Sequence, residues 1–484
     1  MKKLTDILKN PPVREVCGDT AAAIGGLVYD SRAVKPGDCF FAVPGTQSDG
    51  HDYIPIAVEK GAAAIVCERM PADAAEGVAY VLVGDSAGAM ADMAAAFYDY
   101  PSRELKLVGI TGTNGKTTTA TLLYDLVRAM GYKAGLISTV VYKIDGREVE
   151  ATHTTPDSIR LNAMMREMAD AGCAYCFMEC SSHAIVQERT RGLDFAGGIF
   201  SNITHDHLDY HKTFAEYIRA KKLFFDGLPK GAFALTNADD RNGRVMVQNT
   251  AAAVSAYSLR AMADFRCKIV EMHLDGMLLR IDGQELWVGL LGRFNAYNLL
   301  AVYGAAVLLG LDRGEVLRVL SMLHAVSGRF EKIRAANGTT AIVDYAHTPD
   351  ALENVIQTIE EIRTPGQQLI VVCGCGGDRD RTKRPEMAAI AVKYATTAVF
   401  TSDNPRHESP EAILDDMVAG LEPGARYLRI ADRAEAIRTA VMLSRPGDII
   451  LVAGKGHETY QIVGDVKHPF DDREEIKKRF ALLN

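Results

Sequence analysis

A lysine and a threonine complete a glycine-bearing turn at residues 111–117, whose sequence is Thr-Gly-Thr-Asn-Gly-Lys-Thr. Glycines let backbone N–H groups approach an anion, and a helix that begins there adds the positive end of its dipole. Lys116 would supply a positive charge, and Thr117 would supply a ligand for Mg²⁺. This stretch therefore predicts a site for nucleotide phosphates, and an ordinary strand-to-helix turn is the less favoured interpretation.

Two further groups that suit Mg²⁺ follow apolar, strand-like runs. Glu179 ends one run and His205 follows the next. Because ligands of an open α/β sheet lie beyond the carboxyl ends of its strands, we expect both side chains near the phosphates. The cluster at residues 205–211 also leaves a zinc hydrolase as an alternative. Tyr210 interrupts the usual hydrolase spacing, and that alternative does not explain the phosphate-binding turn.

Four polar loops follow strand-like runs in the last third of the chain. They span residues 344–349, 377–381, 403–406 and 454–458, and all four carry charged side chains. If the strands are parallel, these loops meet at one edge of a sheet, where charges of both signs would suit a zwitterionic substrate. The glycines at 374–377 could suggest a dinucleotide site, but Arg379 replaces the third spaced glycine.

The elements that must position these groups can be read from the hydrophobic pattern. Residues 105–110 predict a buried strand, and apolar positions from Leu122 to Met130 predict the helix after the turn. We expect a second helix with Thr155 as its N-cap, and Asn298 as the N-cap of an apolar helix over residues 299–309. Asp-Gly pairs at 275–276 and 282–283 predict two hairpins.

Length and composition place the chain among globular α/β proteins. Its 484 residues suggest about three domains, and we divide it into residues 1–101, 102–330 and 331–484. The net charge of −8, with no basic tract, argues against a nucleic-acid partner. The longest apolar run, residues 299–311, is too short to span a membrane. Nine irregularly spaced cysteines and a start without a signal peptide predict a cytoplasmic protein with reduced thiols.

Several of these motifs resemble the Mur ligase family. Ile110 stands where a general P-loop has glycine, and the resulting loop is similar to the ATP loop shared by Mur ligases and folylpolyglutamate synthases. Residues 206–225 and the Asp-Asn-Pro-Arg run at 403–406 resemble the UDP-N-acetylmuramoyl-tripeptide synthetases of that family. The resemblance implies an N-terminal α/β UDP-sugar domain, a central P-loop-type ATPase domain and a C-terminal Rossmann-like domain.

It also implies an activity. Such enzymes transfer the γ-phosphate of ATP, with Mg²⁺, to a carboxylate of UDP-MurNAc-L-Ala-D-Glu, and an amino acid then attacks the acyl phosphate in peptidoglycan precursor synthesis. We expect a monomer that acts on small molecules, with no membrane insertion. Folylpolyglutamate synthase is an alternative that the N-terminal region does not favour. A non-catalytic nucleotide-gated protein would not need Glu179, His205 and Lys221 together.

The resemblance assigns roles residue by residue. Lys116, Glu179, His205, Lys221 and Arg329 would be catalytic, and Thr117, Glu179, His205 and a carbamylated Lys221 would hold the metal. ATP would contact Gly112, Thr113, Asn114, Gly115, Lys116, Thr117, Thr118, Asn295, Asn298, Asp344 and His347. UDP-MurNAc-dipeptide would contact Tyr29, Ser31, Thr46, Gln47, Ser48, His153, Thr154, Thr155, Ser181, Gln187 and Arg189. Diaminopimelate would contact Arg379, Asp403, Asn404, Pro405, Arg406, Gly454 and Glu458.

Arg406 carries the prediction of the incoming amino acid. A planar guanidinium can clamp a distal carboxylate in two hydrogen bonds, whereas it would repel the ammonium of a lysine side chain. The Asp-Asn-Pro-Arg run therefore favours meso-diaminopimelate, and L-lysine remains the alternative amine. Two positions depart from the family pattern: His153 stands where asparagine is common, and His407 stands where a small polar residue is usual.

Overall fold

The chain folds as an α/β protein around three large sheets, which confirms the predicted fold class. The computed structural model describes residues 1–45, 48–151, 153–204, 206 and 208–483, with only the backbone of Leu208 and Asp209. Within those residues the three sheets contain five, eleven and six strands, in chain order. No helix in this part of the chain is long and apolar enough to cross a lipid bilayer.

The N-terminal sheet has the order β2-β7-β6-β5-β4, in which β4 to β7 are parallel and β2 is antiparallel. Three short 3₁₀ helices cover Ser31–Ala33, Gly50–Tyr53 and Pro101–Glu104. The strands of the sheet are β2 (Val13–Cys17), β4 (Leu27–Val28), β5 (Cys39–Phe41), β6 (Ala64–Cys67) and β7 (Ala79–Val83). Strands β1 (Lys2–Lys3) and β3 (Ala23–Ile24) pair separately, and the helices are α1 (Leu4–Ile7), α2 (Ile54–Glu59) and α3 (Ser86–Phe97).

The central sheet places the phosphate-binding turn between two parallel neighbours. Strand β8 lies between β12 and β13, so Thr111, Glu179 and Phe200 end their strands at one edge. The strands are β8 (Lys106–Thr111), β9 (Ala134–Ile137), β10 (Val141–Ile144), β11 (Arg147–Glu150), β12 (Tyr175–Glu179), β13 (Gly197–Phe200), β14 (Phe233–Asn237), β15 (Ala253–Ser258), β16 (Phe265–His273), β17 (Gly276–Ile281) and β18 (Gln284–Val288). The helices are α4 (Lys116–Ala129), α5 (Ser158–Asp170), α6 (Ser182–Val186), α7 (Leu208–His211), α8 (Phe214–Asp226), α9 (Gly243–Val247), α10 (Arg293–Leu308) and α11 (Arg313–Leu320).

The third sheet has the order β19-β20-β24-β21-β22-β23, and all its strands except β19 are parallel. The four charged loops consequently follow strands whose carboxyl ends share one edge. Its strands are β19 (Glu331–Arg334), β20 (Thr340–Asp344), β21 (Leu369–Cys373), β22 (Thr397–Phe400), β23 (Tyr427–Arg429) and β24 (Ile449–Ala453). Strands β25 (Tyr460–Val463) and β26 (Val466–Pro469) form a separate antiparallel pair, and the helices are α12 (Pro349–Ile362), α13 (Lys383–Tyr394), α14 (Pro410–Val418), α15 (Arg433–Leu443) and α16 (Asp472–Phe480).

Two predicted helix caps are wrong. Helix α5 begins at Ser158, where Asp157 accepts the N–H of Arg160, because the Thr155 hydroxyl instead donates to the carbonyl of Glu179 at 2.7 Å. Helix α10 begins at Arg293, which places Asn298 inside the helix rather than at its start. Its polar first turn continues the helix backwards beyond the apolar run, so hydrophobicity alone marks the start too late.

Both predicted hairpins form, and one of them has its turn at the predicted Asp-Gly pair. Asp282 and Gly283 have φ values of 47° and 88° and connect β17 to β18. In the other hairpin Gly276 pairs with His273, so the two-residue turn lies one position earlier than the Asp-Gly pair. Each large sheet uses strands from one of the three predicted segments. The domain limits at 101/102 and 330/331 themselves stay a prediction.

Candidate functional site

The phosphate loop, residues 111–117, depends on close approach at both of its glycines. A Cβ on Gly112 would overlap the Ser201 hydroxyl, and a Cβ on Gly115 would stand 2.5 Å from the side-chain oxygen of Asn298. Gly115 also has a φ of 87°, which other residues adopt at a cost. The loop needs these glycines for its conformation, and α4 begins directly after it at Lys116.

Lys116 folds back over the phosphate loop. Its Nζ donates to the carbonyls of Gly112 at 3.0 Å and Thr113 at 2.8 Å. Burial lowers the pKa of Lys116, although the charges of Glu179 and Asp206 oppose that shift. A cation held at the start of a helix is positioned to meet an anion there.

Arg329 reaches the same loop from far along the chain. Its Nη2 donates to the Thr117 hydroxyl at 3.2 Å, and its guanidinium lies 4.5 Å from the centre of the Tyr345 ring. Its Nε is buried and has no hydrogen-bond partner among the described residues. The structure thus brings Lys116, Thr117 and Arg329 together, and their contact with a nucleotide phosphate stays a prediction.

Two of the residues predicted to hold a metal ion, Glu179 and Lys221, lie beside the loop. Glu179 accepts the backbone N–H of Thr139 at 2.8 Å and its hydroxyl at 3.3 Å. Lys221 is 1% exposed, and its Nζ donates to the carbonyl of Gly112 at 2.8 Å. Burial and then the charge of Lys116 hold the pKa of Lys221 well below its usual range. His205 lies outside the described residues, and so does His207. These are the first two histidines of the zinc-hydrolase alternative.

One cavity of about 590 Å³ connects these groups. Its walls combine the phosphate loop with residues predicted to hold the metal ion, to contact ATP from the third sheet's part of the chain, and to contact the UDP-MurNAc-dipeptide acceptor. The predicted residues that line it are Thr113, Asn114, Gly115, Lys116, Thr117, Thr118, Thr154, Glu179, Ser181, Lys221, Asn298, Arg329, Asp344 and His347. The groups predicted to bind phosphate and those predicted to bind the UDP-MurNAc-dipeptide therefore line one space.

Three polar side chains that line the cavity, those of Asp344, His347 and Asn298, are each held by a hydrogen bond. Asp344 accepts the N–H of Phe330 at 2.7 Å, and burial raises its pKa to about 6. Nδ1 of His347 lies 2.8 Å from the carbonyl of Tyr345, so that nitrogen donates, and burial lowers the pKa of His347. Asn298 donates to Asn295, which lies behind it in α10 and outside the cavity wall.

The predicted dipeptide contacts form a connected set at the end of β12. Arg189 donates to the carbonyl of Thr155 at 2.7 Å and to the side chain of Gln187 at 2.6 Å. Thr155 also accepts the N–H of Ser181 at 3.1 Å. Thr154 joins them through Thr139, whose hydroxyl oxygen lies 3.1 Å from that of Thr154.

The predicted nucleotide-sugar contacts are the least complete. Tyr29 is 49% exposed, and burial together with the charge of Asp157 raises its pKa, while the charge of Arg189 opposes the rise. Ser31 is buried in a 3₁₀ helix, Ser48 is exposed, and Thr46 and Gln47 lie outside the described residues. His153 uses its backbone to bond Tyr142.

The predicted diaminopimelate contacts form a second site, which we call the amino-acid loops: residues 377–381, 403–406 and 454–458. Asn404 donates to Glu458 at 2.9 Å and accepts from Lys455 at 3.0 Å. Arg406 donates to the carbonyl of Gly377 at 2.9 Å. These loops meet one another but do not line the cavity of the phosphate loop.

Charge is concentrated within the amino-acid loops. Burial and the neighbouring charge of Arg379 lower the pKa of Arg406, whose backbone φ of 51° is unusual for a residue with a side chain. The carboxylate of Asp403 lies 2.5 Å from the position that a Cβ on Gly454 would occupy. Glycine is therefore required at that position for the loops to approach.

Sequence reasoning missed several residues that the structure places at these sites. Asp350 accepts from the side chain of Asn114 at 3.0 Å and from the hydroxyl of Thr204 at 3.4 Å, which joins the third sheet's first helix to the phosphate loop. Its signal was an acid in the first turn of a helix that begins with proline. Lys455, whose side chain is fully buried, pairs with Glu458 at 2.8 Å.

Comparisons with known proteins agree along the chain. Family models described as "Mur ligase family, catalytic domain", "Mur ligase middle domain" and "Mur ligase, glutamate ligase domain" match residues 23–98, 110–306 and 328–456. The UDP-N-acetylmuramoyl-L-alanyl-D-glutamate–2,6-diaminopimelate ligases of Phocaeicola vulgatus and Bacteroides fragilis are each 55% identical over 99% of both chains. The enzyme of that name from Geobacillus thermodenitrificans is 45% identical over 93% of both.

Solved structures add the fold. A structure of a UDP-N-acetylmuramoyl-L-alanyl-D-glutamate–2,6-diaminopimelate ligase has a TM-score of 0.72 at 31% identity, over 100% of this chain and 99% of that one. MurF ligase from Thermotoga maritima, solved with ADP, has a TM-score of 0.64 at 18% identity over 95% and 97%. With relatives 55% identical over 99% of its length, this chain belongs to the Mur ligase family.

Proposed function

We propose that this chain is an ATP-dependent ligase that adds meso-diaminopimelate to UDP-N-acetylmuramoyl-L-alanyl-D-glutamate in peptidoglycan precursor synthesis. The observation that carries the proposal is the shared cavity, in which Lys116 and Arg329 of the phosphate side face Thr154 and Ser181 of the acceptor side. The names of the relatives that are 55% identical over the whole chain support the same substrates.

The first half of the reaction forms an acyl phosphate. An oxygen of the D-glutamyl side-chain carboxylate attacks the γ-phosphorus of ATP, and the bond from that phosphorus to the β,γ-bridging oxygen breaks to release ADP. Lys116, backbone N–H groups of the phosphate loop and Arg329 would stabilise the charge that develops on the phosphoryl oxygens. No nucleophile from the protein is needed.

Mg²⁺ fits the residues beside the phosphate loop. Thr117, Glu179 and a carbamylated Lys221 would hold it, and His205 remains a predicted ligand. When bound, the ion would screen the negative charge of the phosphates. The buried amine of Lys221 suits carbamylation, since its neutral nitrogen can attack CO₂, form an N–C bond and release a proton. The product is an anion, which would suit a neighbouring cation.

The second half joins the amino acid. A neutral amine of meso-diaminopimelate attacks the acyl carbon, inorganic phosphate leaves, and the amine loses a proton to give the amide. Arg406 and Arg379 would bind the distal carboxylate, while Asp403 and Glu458 would face the ammonium group beside it. Asn404 would orient Glu458 through their hydrogen bond of 2.9 Å.

Phosphate release tests the proposal. Purified protein with ATP, Mg²⁺ and UDP-MurNAc-L-Ala-D-Glu is offered meso-diaminopimelate or L-lysine, and a folate with L-glutamate serves as the comparison reaction. We expect phosphate release to require the nucleotide sugar and to be fastest with meso-diaminopimelate. Release with lysine alone would overturn the substrate assignment, and release with neither amine would overturn the ligase. We further propose, from sequence reasoning, that the enzyme acts as a cytoplasmic monomer.

A further inference from the structure

A fully buried ion pair lies directly beneath the amino-acid loops. Arg433 is the first residue of α15 and Asp472 is the first residue of α16, and both side chains are 0% exposed. Nε and Nη2 of Arg433 each donate to one carboxylate oxygen of Asp472 at 2.7 Å. The two groups form a bidentate pair, whose planar geometry fixes the orientation of the guanidinium.

The same guanidinium bonds the end of β24 and the chain just beyond β22. Its Nη1 donates to the carbonyl of Ser402 at 3.3 Å, and its Nη2 donates to the carbonyl of Ala453 at 3.1 Å. Ser402 immediately precedes the loop 403–406, and Ala453 immediately precedes the loop 454–458. One side chain thus connects the starting points of two of the three amino-acid loops.

The loops 403–406 and 454–458 approach each other closely where they begin. Asp403 approaches Gly454 so closely that no Cβ could be added there, and one residue later Asn404 bonds both Lys455 and Glu458. The carboxylates of Asp472 and Asp403 together raise the pKa of Arg433 despite its burial. A shift at the start of either loop would change the distance between the groups of the two loops that are proposed to contact the amino acid.

We propose that Arg433 and Asp472 are positioning residues for the incoming amino acid, because they set the spacing between the loops 403–406 and 454–458. The inference rests on the proposed function, in which these loops bind meso-diaminopimelate. Neither residue lines the cavity of the phosphate loop. Disturbing the pair should therefore weaken use of the amino acid and leave use of ATP unchanged.

The test is Asp472→Asn, which keeps the shape of the side chain and removes its charge. Phosphate release is measured with meso-diaminopimelate varied at saturating ATP and nucleotide sugar, and then with ATP varied. We expect the KM for meso-diaminopimelate to rise about tenfold and the KM for ATP to change by less than about twofold. The ratio of kcat/KM for meso-diaminopimelate over L-lysine should fall as well.

Asp448→Asn is the matched control. Asp448 is 3% exposed and accepts two backbone N–H groups at 2.8 Å, from Gln368 and Arg445, before the first residue of β24 at the opposite edge of the sheet. Its removal should lower Tm without raising the KM for meso-diaminopimelate. This control separates loss of stability from loss of positioning within one sheet.

Arg433→Lys provides a second variant if Asp472→Asn does not fold. Lysine keeps the positive charge opposite Asp472, but its single nitrogen cannot reproduce the fork that reaches both carbonyls. The same selective rise in KM is expected. Equal KM values in the Asp472 and Asp448 variants, or parallel increases for ATP and meso-diaminopimelate, would overturn the inference. A wild-type protein that releases phosphate with neither amine would instead overturn the proposed function.

Discussion

The phosphate loop and the amino-acid loops are built in opposite ways. The phosphate loop is one continuous turn, and its lysine bonds the carbonyls of its own Gly112 and Thr113. The amino-acid loops come from three separate stretches, joined by side-chain bonds such as those of Asn404 and by the buried Arg433. The phosphate loop is therefore a local motif to which distant side chains such as Arg329 and Asp350 are joined, whereas the amino-acid loops are brought together by the topology of the sheet.

The largest expected effect is on the phosphate side, at Lys221. Lys221→Ala should lower kcat by about 10²- to 10³-fold, because it removes a buried nitrogen bonded to the phosphate loop and the proposed metal ligand. KM for meso-diaminopimelate should stay nearly unchanged. Phosphate release with all substrates saturating measures kcat, and a series with meso-diaminopimelate varied measures its KM.

Lys222→Ala is the control for that variant. Lys222 lies next in α8 but pairs with Asp226 at 2.6 Å instead of contacting the phosphate loop. We expect its kcat to stay within about twofold of wild type, since helix-surface ion pairs contribute little. Similar losses of kcat in the two variants would show that the loss is not specific to Lys221, and would contradict its proposed role.

The next effect is on the other side of the comparison, at Arg406. Arg406→Lys should lower kcat/KM for meso-diaminopimelate about 100-fold, because one ammonium group cannot replace a planar fork on a carboxylate. KM for ATP should not change, since Arg406 lies outside the phosphate cavity. Steady-state kinetics with each substrate varied in turn measure the difference. A parallel loss of ATP affinity would mean that the two sites are not separate.

The same contrast explains what sequence could predict. The turn at 111–117, the strand before it and the helix after it follow from local spacing, and the charged loops follow from apolar runs that end in polar residues. The pairing of Arg433 with Asp472, 39 positions later, has no local signal. Thr155 shows a further limit: its hydroxyl suits a helix cap, but the strand β12 places a better partner, the Glu179 carbonyl, beside it.

Asp350 lies in α12 and bonds the phosphate loop from the third sheet's part of the chain, and it should have an intermediate effect. Asp350→Ala removes the acceptor for Asn114 of the phosphate loop and for Thr204, so we expect the KM for ATP to rise about tenfold. KM for meso-diaminopimelate should remain constant. Glu353→Ala is the control, because Glu353 lies in the same helix but accepts from Tyr394 at 2.8 Å, outside the cavity. Equal KM values for ATP in the two variants would contradict a link through Asp350.

The smallest effect should come from His407, at the outer rim of the amino-acid loops. Its Nδ1 lies 2.8 Å from Asp378 and its Nε2 lies 3.2 Å from Asp465, and these carboxylates raise its pKa. The stabilising charge is therefore complete below the ordinary pKa and is lost as pH rises through the higher folded-state pKa. His407→Gln should raise the KM for meso-diaminopimelate about twofold to threefold at pH 6, and should leave it unchanged at pH 9.

Comparing variant with wild type at each pH removes the ionisation of the substrate amine from this result, because that ionisation is common to both proteins. His273→Gln is the control, since His273 is also exposed and lies 3.4 Å from Glu271, but on the central sheet. It should match wild type at both pH values. A His407→Gln effect of the same size at pH 6 and pH 9 would mean that the imidazole acts by shape, and that the rim of the amino-acid loops is not held by its charge.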